Sequence, residues 1–436
     1  MVVSEKAGNP GGGTPSTARR YFPQLEGMRG LAALGVLVLH VAFSAGQMRW
    51  NEAPGMEETG NGIFSVLFNQ LQVSLPIFFT LSGMLLYRPF ALAAIADTPT
   101  PRVKPYLWRR ALRCLPAYWA LIAVVLIVLN RDNIHGFWDV LRPVLLLQIY
   151  QENAWVLGGE QTWSLSTEIA FYFALPVIAW ILHRIARGAA TPAARVRRIL
   201  ISLSTVIPVS VAWTAWTHSS AFGPWPIEGN WPLGWIDFIA TGMMLATLSA
   251  GAQVSWDAVP GVYRAADRRQ IACWIGALAA YLLACVSPFG DPGSANSPGL
   301  AQSVAEHVLY LTFGLLAVTP LTLPEQRSRF IAAVVTNRPM LFLGRISYGL
   351  YLWHIAIIYF WDGDLFRAGN FWVLLAVTLA GSIVCATISY YLIESPAMKL
   401  RERLGKAPKQ FSVVTLLPET PATPPAEPST PVPATR

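Results

Sequence analysis

The sequence predicts an all-α polytopic membrane protein: a bundle of about ten transmembrane helices, both termini cytoplasmic, with a disordered tail at each end. Three observations predict it. First, 54% of the 436 residues are apolar and 13% are charged, against about 25% charged in ordinary soluble domains. Second, the apolar residues gather in windows near 30–46, 68–87, 114–130, 164–183, 199–217, 233–250, 271–287, 307–323, 346–361 and 371–393, each close to the length that crosses about 30 Å of hydrocarbon. Third, the charges between the windows alternate. The segments after the second, fourth, sixth, eighth and tenth windows are basic, as in Arg184, Arg187, Arg195, Arg197 and Arg198. The intervening segments hold acidic groups such as Glu52, Glu57, Glu58, Asp132, Glu152 and Asp362.

Basic residues mark cytoplasmic loops, so the net charge of +8 reads as membrane topology and not as a nucleic-acid footprint. The bilayer is the expected partner, and a multi-pass place in the inner or plasma membrane the expected location. Residues 1–20 are rich in Gly, Pro, Ser and Thr, and 405–436 repeat Pro, Thr and Ala; neither composition supports a packed core. The membrane domain therefore runs over 21–404. The N-terminal stretch lacks the pattern of a cleavable signal, so the first span is expected to stay as an anchor. Cys114, Cys273, Cys285 and Cys385 have no paired or metal-like spacing, which gives no disulfide or metal signal. Trp50, Trp155, Trp163, Trp216, Trp225, Trp231 and Trp235 fall near the outer boundaries, as an aromatic belt does. Between the third and fourth windows, Phe137 to Ile149 is amphiphilic and too short to span, either a re-entrant piece or a helix lying on the headgroups.

The first window carries the main chemical signal. Arg29 and His40 are eleven residues apart, about three helical turns, which places them within roughly 20° of one face and about 16 Å apart along the axis. An ionisable group in hydrocarbon costs about 2.5 kcal/mol or more and marks a functional position by default, although an arginine can also snorkel to the interface. Arg110 and Arg113 share a helix face near the cytoplasmic boundary. Two guanidiniums so placed suit a phosphate-bearing ligand, although from the sequence alone a topogenic flank is the account to prefer. Ser164, Glu168 and Tyr172 recur every fourth residue on one face. Glu168 is the candidate partner of His40, since a carboxylate fixes the tautomer and basicity of an imidazole general base; an interhelical hydrogen-bond ladder is the plainer account. Ser82 and Gly83 permit close helix approach. Tyr351 and His354 lie near one face of the ninth span, and His354 is a second intramembrane imidazole. Glu394 is expected to pair with an arginine, with Pro396 ending the tenth helix. His135, His183, His218 and His307 receive no role.

Taken together, these segments resemble the acyltransferase-3 family of integral-membrane acyltransferases. The resemblance rests on Glu26-Gly27-Met28-Arg29-Gly30 with His40, Phe78-Phe79 with Ser82-Gly83, Arg110 with Arg113 and Pro116, Trp163-Ser164 with Glu168 and Tyr172, Ser347-Tyr348 with Tyr351 and His354, and Ile393-Glu394 with Pro396, in that order from about 20 to 400. Glu26 stands where such proteins commonly carry Asp, and Thr167-Glu168-Ile169 lacks a second acid often found there. No hydrolase-like domain is expected after the short C-terminal tail.

The resemblance implies an O-acyltransferase that moves a short acyl group from acyl-CoA, acetyl-CoA foremost, to a hydroxyl of a carbohydrate, glycolipid or similar cell-envelope acceptor. His40 is then the general base with Arg29 and Glu168, and Arg110 and Arg113 hold the CoA phosphates. Tyr172 or Ser164 donates to the thioester oxyanion, while Ser82, Tyr351 and His354 support the site. Acyl-CoA acts as co-substrate, with no permanently bound cofactor or metal. The competing reading is a secondary transporter with an Arg, His and Glu relay, against which no inverted repeat is evident; a non-catalytic scaffold is the third.

Overall fold

Each apolar window falls on a helix in the computed structural model, which describes residues 22–49, 62–152, 154–365 and 369–402. Both predicted tails and Trp50 lie outside the described residues. In chain order the helices are α1 (Pro23–Ser44), α2 (Ile63–Ala96), α3 (Val103–Val128), α4 (Glu160–Arg187), α5 (Pro192–Thr217), α6 (Ile236–Val254), α7 (Gln270–Cys285), α8 (Leu300–Thr322), α9 (Arg338–Asp362) and α10 (Phe371–Lys399). Eight of them are long and apolar enough to cross a membrane, which defines an all-α multi-pass membrane protein. The other two are α6 and α7. α7 has only 16 residues. α6 has 19, thirteen of them buried, so it is wrapped by other helices and tolerates Asp237, Thr241 and Thr247 where a lipid-facing helix would not. No strand occurs among the described residues beyond one bridge between Arg49 and Ser294.

Three of the boundaries that depart from the hydropathy reading have a clear local cause. α3 starts at Val103, eleven residues before the apolar window, because Pro101 ends the preceding coil and Pro105 sits in the first turn, where its missing N–H is harmless. Arg110 and Arg113 therefore lie within the helix and not below it. α8 starts at Leu300, since its polar first turns point inward: Gln302, Glu306 and His307 are all buried. α10 does not stop at Pro396. A π-helical turn at Tyr390–Glu394 widens the helix, and Pro396 then opens a further turn, Ser395–Lys399, as proline at a first helical position allows.

Small residues set how closely the central helices cross. A Cβ on Gly83 of α2 would stand 2.1 Å from the Ile239 carbonyl oxygen of α6, and one on Gly242 of α6 would stand 2.0 Å from the Thr80 carbonyl oxygen of α2. The two backbones touch, each filling the space the other's missing side chain leaves. The same device joins α1 to α9, where a Cβ on Gly344 would stand 2.0 Å from the Glu26 carbonyl oxygen. Gly83→Ala is accordingly expected to lower stability by about 1–3 kcal/mol, the ordinary cost of overpacking, read as a lower thermal midpoint in detergent. An unchanged midpoint would show that the crossing relaxes freely.

The amphiphilic segment forms a short helix, Phe137–Val144. Tyr118 donates to the Pro143 carbonyl, and the Trp119 indole donates to the Val144 carbonyl at 3.0 Å. Phe137 and Trp138 remain exposed, an orientation that suits apolar contact with lipid.

Candidate active site

α1, α2, α3, α4 and α9 enclose a cavity of about 90 Å³. Eight of the ten residues expected at the site line it: Arg29, Ser82, Arg110, Arg113, Ser164, Glu168, Tyr172 and Tyr351. Residues spread over more than 320 positions of sequence thus meet because five helices present one polar patch each. Three guanidiniums face one carboxylate, which makes the cavity net cationic.

The polar groups are mostly engaged with each other. Ser82 donates to Glu168 at 2.5 Å. Tyr351 donates to the Gln161 carbonyl at 2.6 Å and, its single proton being used, accepts from Ser164 at 2.6 Å. The Tyr172 hydroxyl is 3.7 Å from the Cys114 sulfur, and the Tyr348 hydroxyl donates to the Cys114 carbonyl at 2.7 Å. Arg113 pairs with Glu394 at 2.8 Å; the π-helical turn of α10 delivers that carboxylate into the bundle, consistent with π-bulges concentrating at functional positions. Arg29 and Arg110 hydrogen-bond to none of the described residues, while Arg113, Glu168 and Glu394 all lie within the electrostatic reach of Arg29.

His40 and His354 do not line the cavity. They pair with one another: His354 Nε2 is 3.2 Å from His40 Nδ1, with ring centroids 4.9 Å apart. The expected His40–Glu168 pair is not formed, because Glu168 is turned toward Ser82 on the cavity side and His40 finds its partner on α9. Between the two regions stands Tyr351, whose ring is 5.7 Å from Phe78 and 5.8 Å from His354. Phe78 also lines the cavity and packs against the apolar cluster of Ala33, Ile346, Leu350 and Ala386. The site therefore has two compartments, a cationic cavity and an imidazole pair, divided by one aromatic wall.

Sequence reasoning missed Tyr348, Cys114, Phe78 and Phe79 as lining residues, since an aromatic or a cysteine in an apolar helix carries no mark of which side it faces. It also missed His307. That side chain is buried and accepts no solvent role: Nε2 pairs with Asp237 at 2.7 Å and Nδ1 meets Thr214 at 3.2 Å, while Ser210 donates to the same carboxylate at 2.9 Å. This network ties α5, α6 and α8 together away from the cavity. The indoles of Trp213, Trp231 and Trp235 all donate to backbone carbonyls of the neighbouring loops, so these tryptophans fasten loops to helix ends.

A multi-pass helical bundle brings the motifs, in this order, around one cavity. The chain belongs to the family described as Acyltransferase domain, whose match covers residues 22–393. Among curated relatives, the O-acetyltransferase OatA of Staphylococcus aureus (strain NCTC 8325 / PS 47) is 23% identical over 433 residues, 91% of this chain and 62% of the relative. A second Staphylococcus aureus protein, from strain COL and provisionally named an O-acetyltransferase, is 24% identical over 426 residues, 87% of this chain and 58% of the relative. The chain thus spans about three-fifths of the length of these relatives. No solved structure matches it.

Proposed function

We propose that the protein transfers a short acyl group from acyl-CoA, acetyl-CoA foremost, to a hydroxyl of a carbohydrate or glycolipid at the cell membrane, with His40 as general base. The observation that carries this reading is the two-compartment geometry: a net cationic cavity on one side of an aromatic wall and an imidazole pair on the other. Arg29, Arg110 and Arg113 offer forked donors to the phosphates of the donor, and Arg29 and Arg110 have no hydrogen-bonding partner among the described residues to give up. At about 90 Å³ the cavity is well below the roughly 300–1,000 Å³ of ordinary ligand pockets, so admitting the pantetheine arm requires Phe78 and Tyr351 to swing aside. The thioester then reaches His40, about 16 Å along α1 from Arg29.

In this scheme the acceptor oxygen bonds to the acyl carbon as its proton passes to His40 Nε2. The carbon–sulfur bond breaks, and the CoA thiolate recovers the proton. The products are the acyl ester and free CoA. Ser164, whose hydroxyl donates to Tyr351 at the wall, can turn that proton to the thioester oxyanion, while the Tyr351 proton stays on the Gln161 carbonyl. Glu168 serves on the cavity side, holding Ser82 and balancing the guanidiniums. The basic ends of the bundle face the cytoplasm, where the donor resides, and His40 lies toward the outer half.

The test is incubation of purified protein with radiolabelled acetyl-CoA and a panel of saccharides and membrane lipid extracts. Transfer of label to a hydroxyl with equimolar CoA release is expected. Protein that binds no acyl-CoA and releases no CoA with any acceptor would overturn the reading.

A further inference from the structure

The hydrogen bonds around the imidazole pair leave only one consistent placement of protons. Carbonyl oxygens accept and never donate. His354 Nδ1 lies 2.8 Å from the Tyr351 carbonyl, and His40 Nδ1 lies 2.8 Å from the Val36 carbonyl. Both Nδ1 atoms therefore carry the hydrogen. In a neutral ring the other nitrogen is then bare, so His354 Nε2 is an acceptor, 3.2 Å from the His40 Nδ1–H. That N–H is shared between Val36 and His354. His40 Nε2 is left unprotonated, with no partner among the described residues.

We propose that His354 is a positioning residue for acyl transfer: its Nε2 holds His40 in the Nδ1–H tautomer and accepts more strongly from Nδ1–H when His40 takes up the acceptor proton. His354 is completely buried and His40 half-buried, so the cation that forms on His40 cannot rely on bulk water. A neutral imidazole, itself fixed by the Tyr351 carbonyl, takes the place that a carboxylate holds in the familiar hydrolase triads. Tyr351 joins the compartments through two groups, with its hydroxyl in the cavity wall and its carbonyl on His354. The inference rests on His40 being the base proposed above.

The experiment compares His354→Leu with His354→Gln, whose amide oxygen can replace Nε2 as the acceptor. His354→Leu is expected to lower kcat at least about tenfold with KM for acetyl-CoA within about twofold of wild type, and His354→Gln to recover most of kcat. Wild-type kcat in His354→Leu overturns the proposal, as does equal loss in both variants, which would mark a packing role. A second measurement needs no variant of His354: nitrogen-15 NMR of histidine-labelled wild-type protein, with His40 assigned by loss of its signals in His40→Ala, is expected to find Nδ1 protonated and Nε2 bare. The reverse tautomer overturns the proposal. Should His40→Ala keep full activity, the base assignment itself fails; should His40→Ala be inactive while His354→Leu is normal, only the present inference fails.

Discussion

His40→Ala is expected to lower kcat for acyl transfer by about 10²–10⁴-fold, the usual worth of a positioned general base. Its bound donor should be nearly unaffected, with Kd for CoA within about twofold of wild type, because the guanidiniums of the cavity stand on the other side of the Phe78–Tyr351 wall. The pairing of a lost rate with a kept affinity is the diagnostic result, since it separates a group acting in the transition state from one that merely holds the ligand. Equilibrium binding of CoA and single-turnover transfer on the same preparation provide both numbers. Transfer at the wild-type rate in the variant would remove His40 from the chemistry.

The second large effect concerns stability. Arg113 is 20% exposed and Glu394 is 1% exposed, and they meet at 2.8 Å. One carboxylate oxygen of Glu394 has no hydrogen-bond partner among the described residues, so Arg113 is the main compensation for burying that charge, with Arg29 as the second cation in reach. Arg113→Leu should therefore cost about 3–5 kcal/mol, the penalty for leaving a buried ion alone, whereas Arg113→Leu with Glu394→Leu should recover most of it. Thermal unfolding in detergent, run on both singles and the double, provides the coupling. A double variant less stable than either single would refute the account. The double variant should still bind CoA more weakly than wild type, because one of three cavity cations is gone.

Much of the site was legible because membrane burial makes ionisable residues conspicuous. Arg29, Arg110, Arg113 and Glu168 stand out against apolar neighbours, and helical periodicity alone places each on a face. Periodicity cannot say which faces meet. Glu168 is the partner the sequence suggests for His40, and the structure supplies His354 instead; which of them His40 meets depends on how α1 rotates against α9, packed closely at Glu26 and Gly344. Hydropathy likewise described the lipid-facing surface well and the interior poorly. α6 and the first turns of α8 are polar because they are enclosed, so a scale built on contact with lipid clipped or underrated both. Pro396 misled for a related reason: a proline ends an α-helix by leaving a carbonyl unpaired, but the π-helical turn before it had already changed the register.

The Phe78–Tyr351 wall has an electrical meaning as well. A membrane that stores energy as a voltage charges about 2.3 kcal/mol for each elementary charge crossing 100 mV, and an open polar shaft through the bundle would discharge it. Between the guanidiniums of the cavity and the two imidazoles stand two aromatic rings 5.7 Å apart. They interpose an apolar layer one pair of side chains thick, which a bare charge crosses only at the cost of its hydration. On the proposed reaction, an uncharged thioester that displaced the rings would fill the gap with its own apolar body, so the seal would be replaced at the moment it is broken. Small hydrated ions would bring no such replacement, and to them the two rings would stay shut.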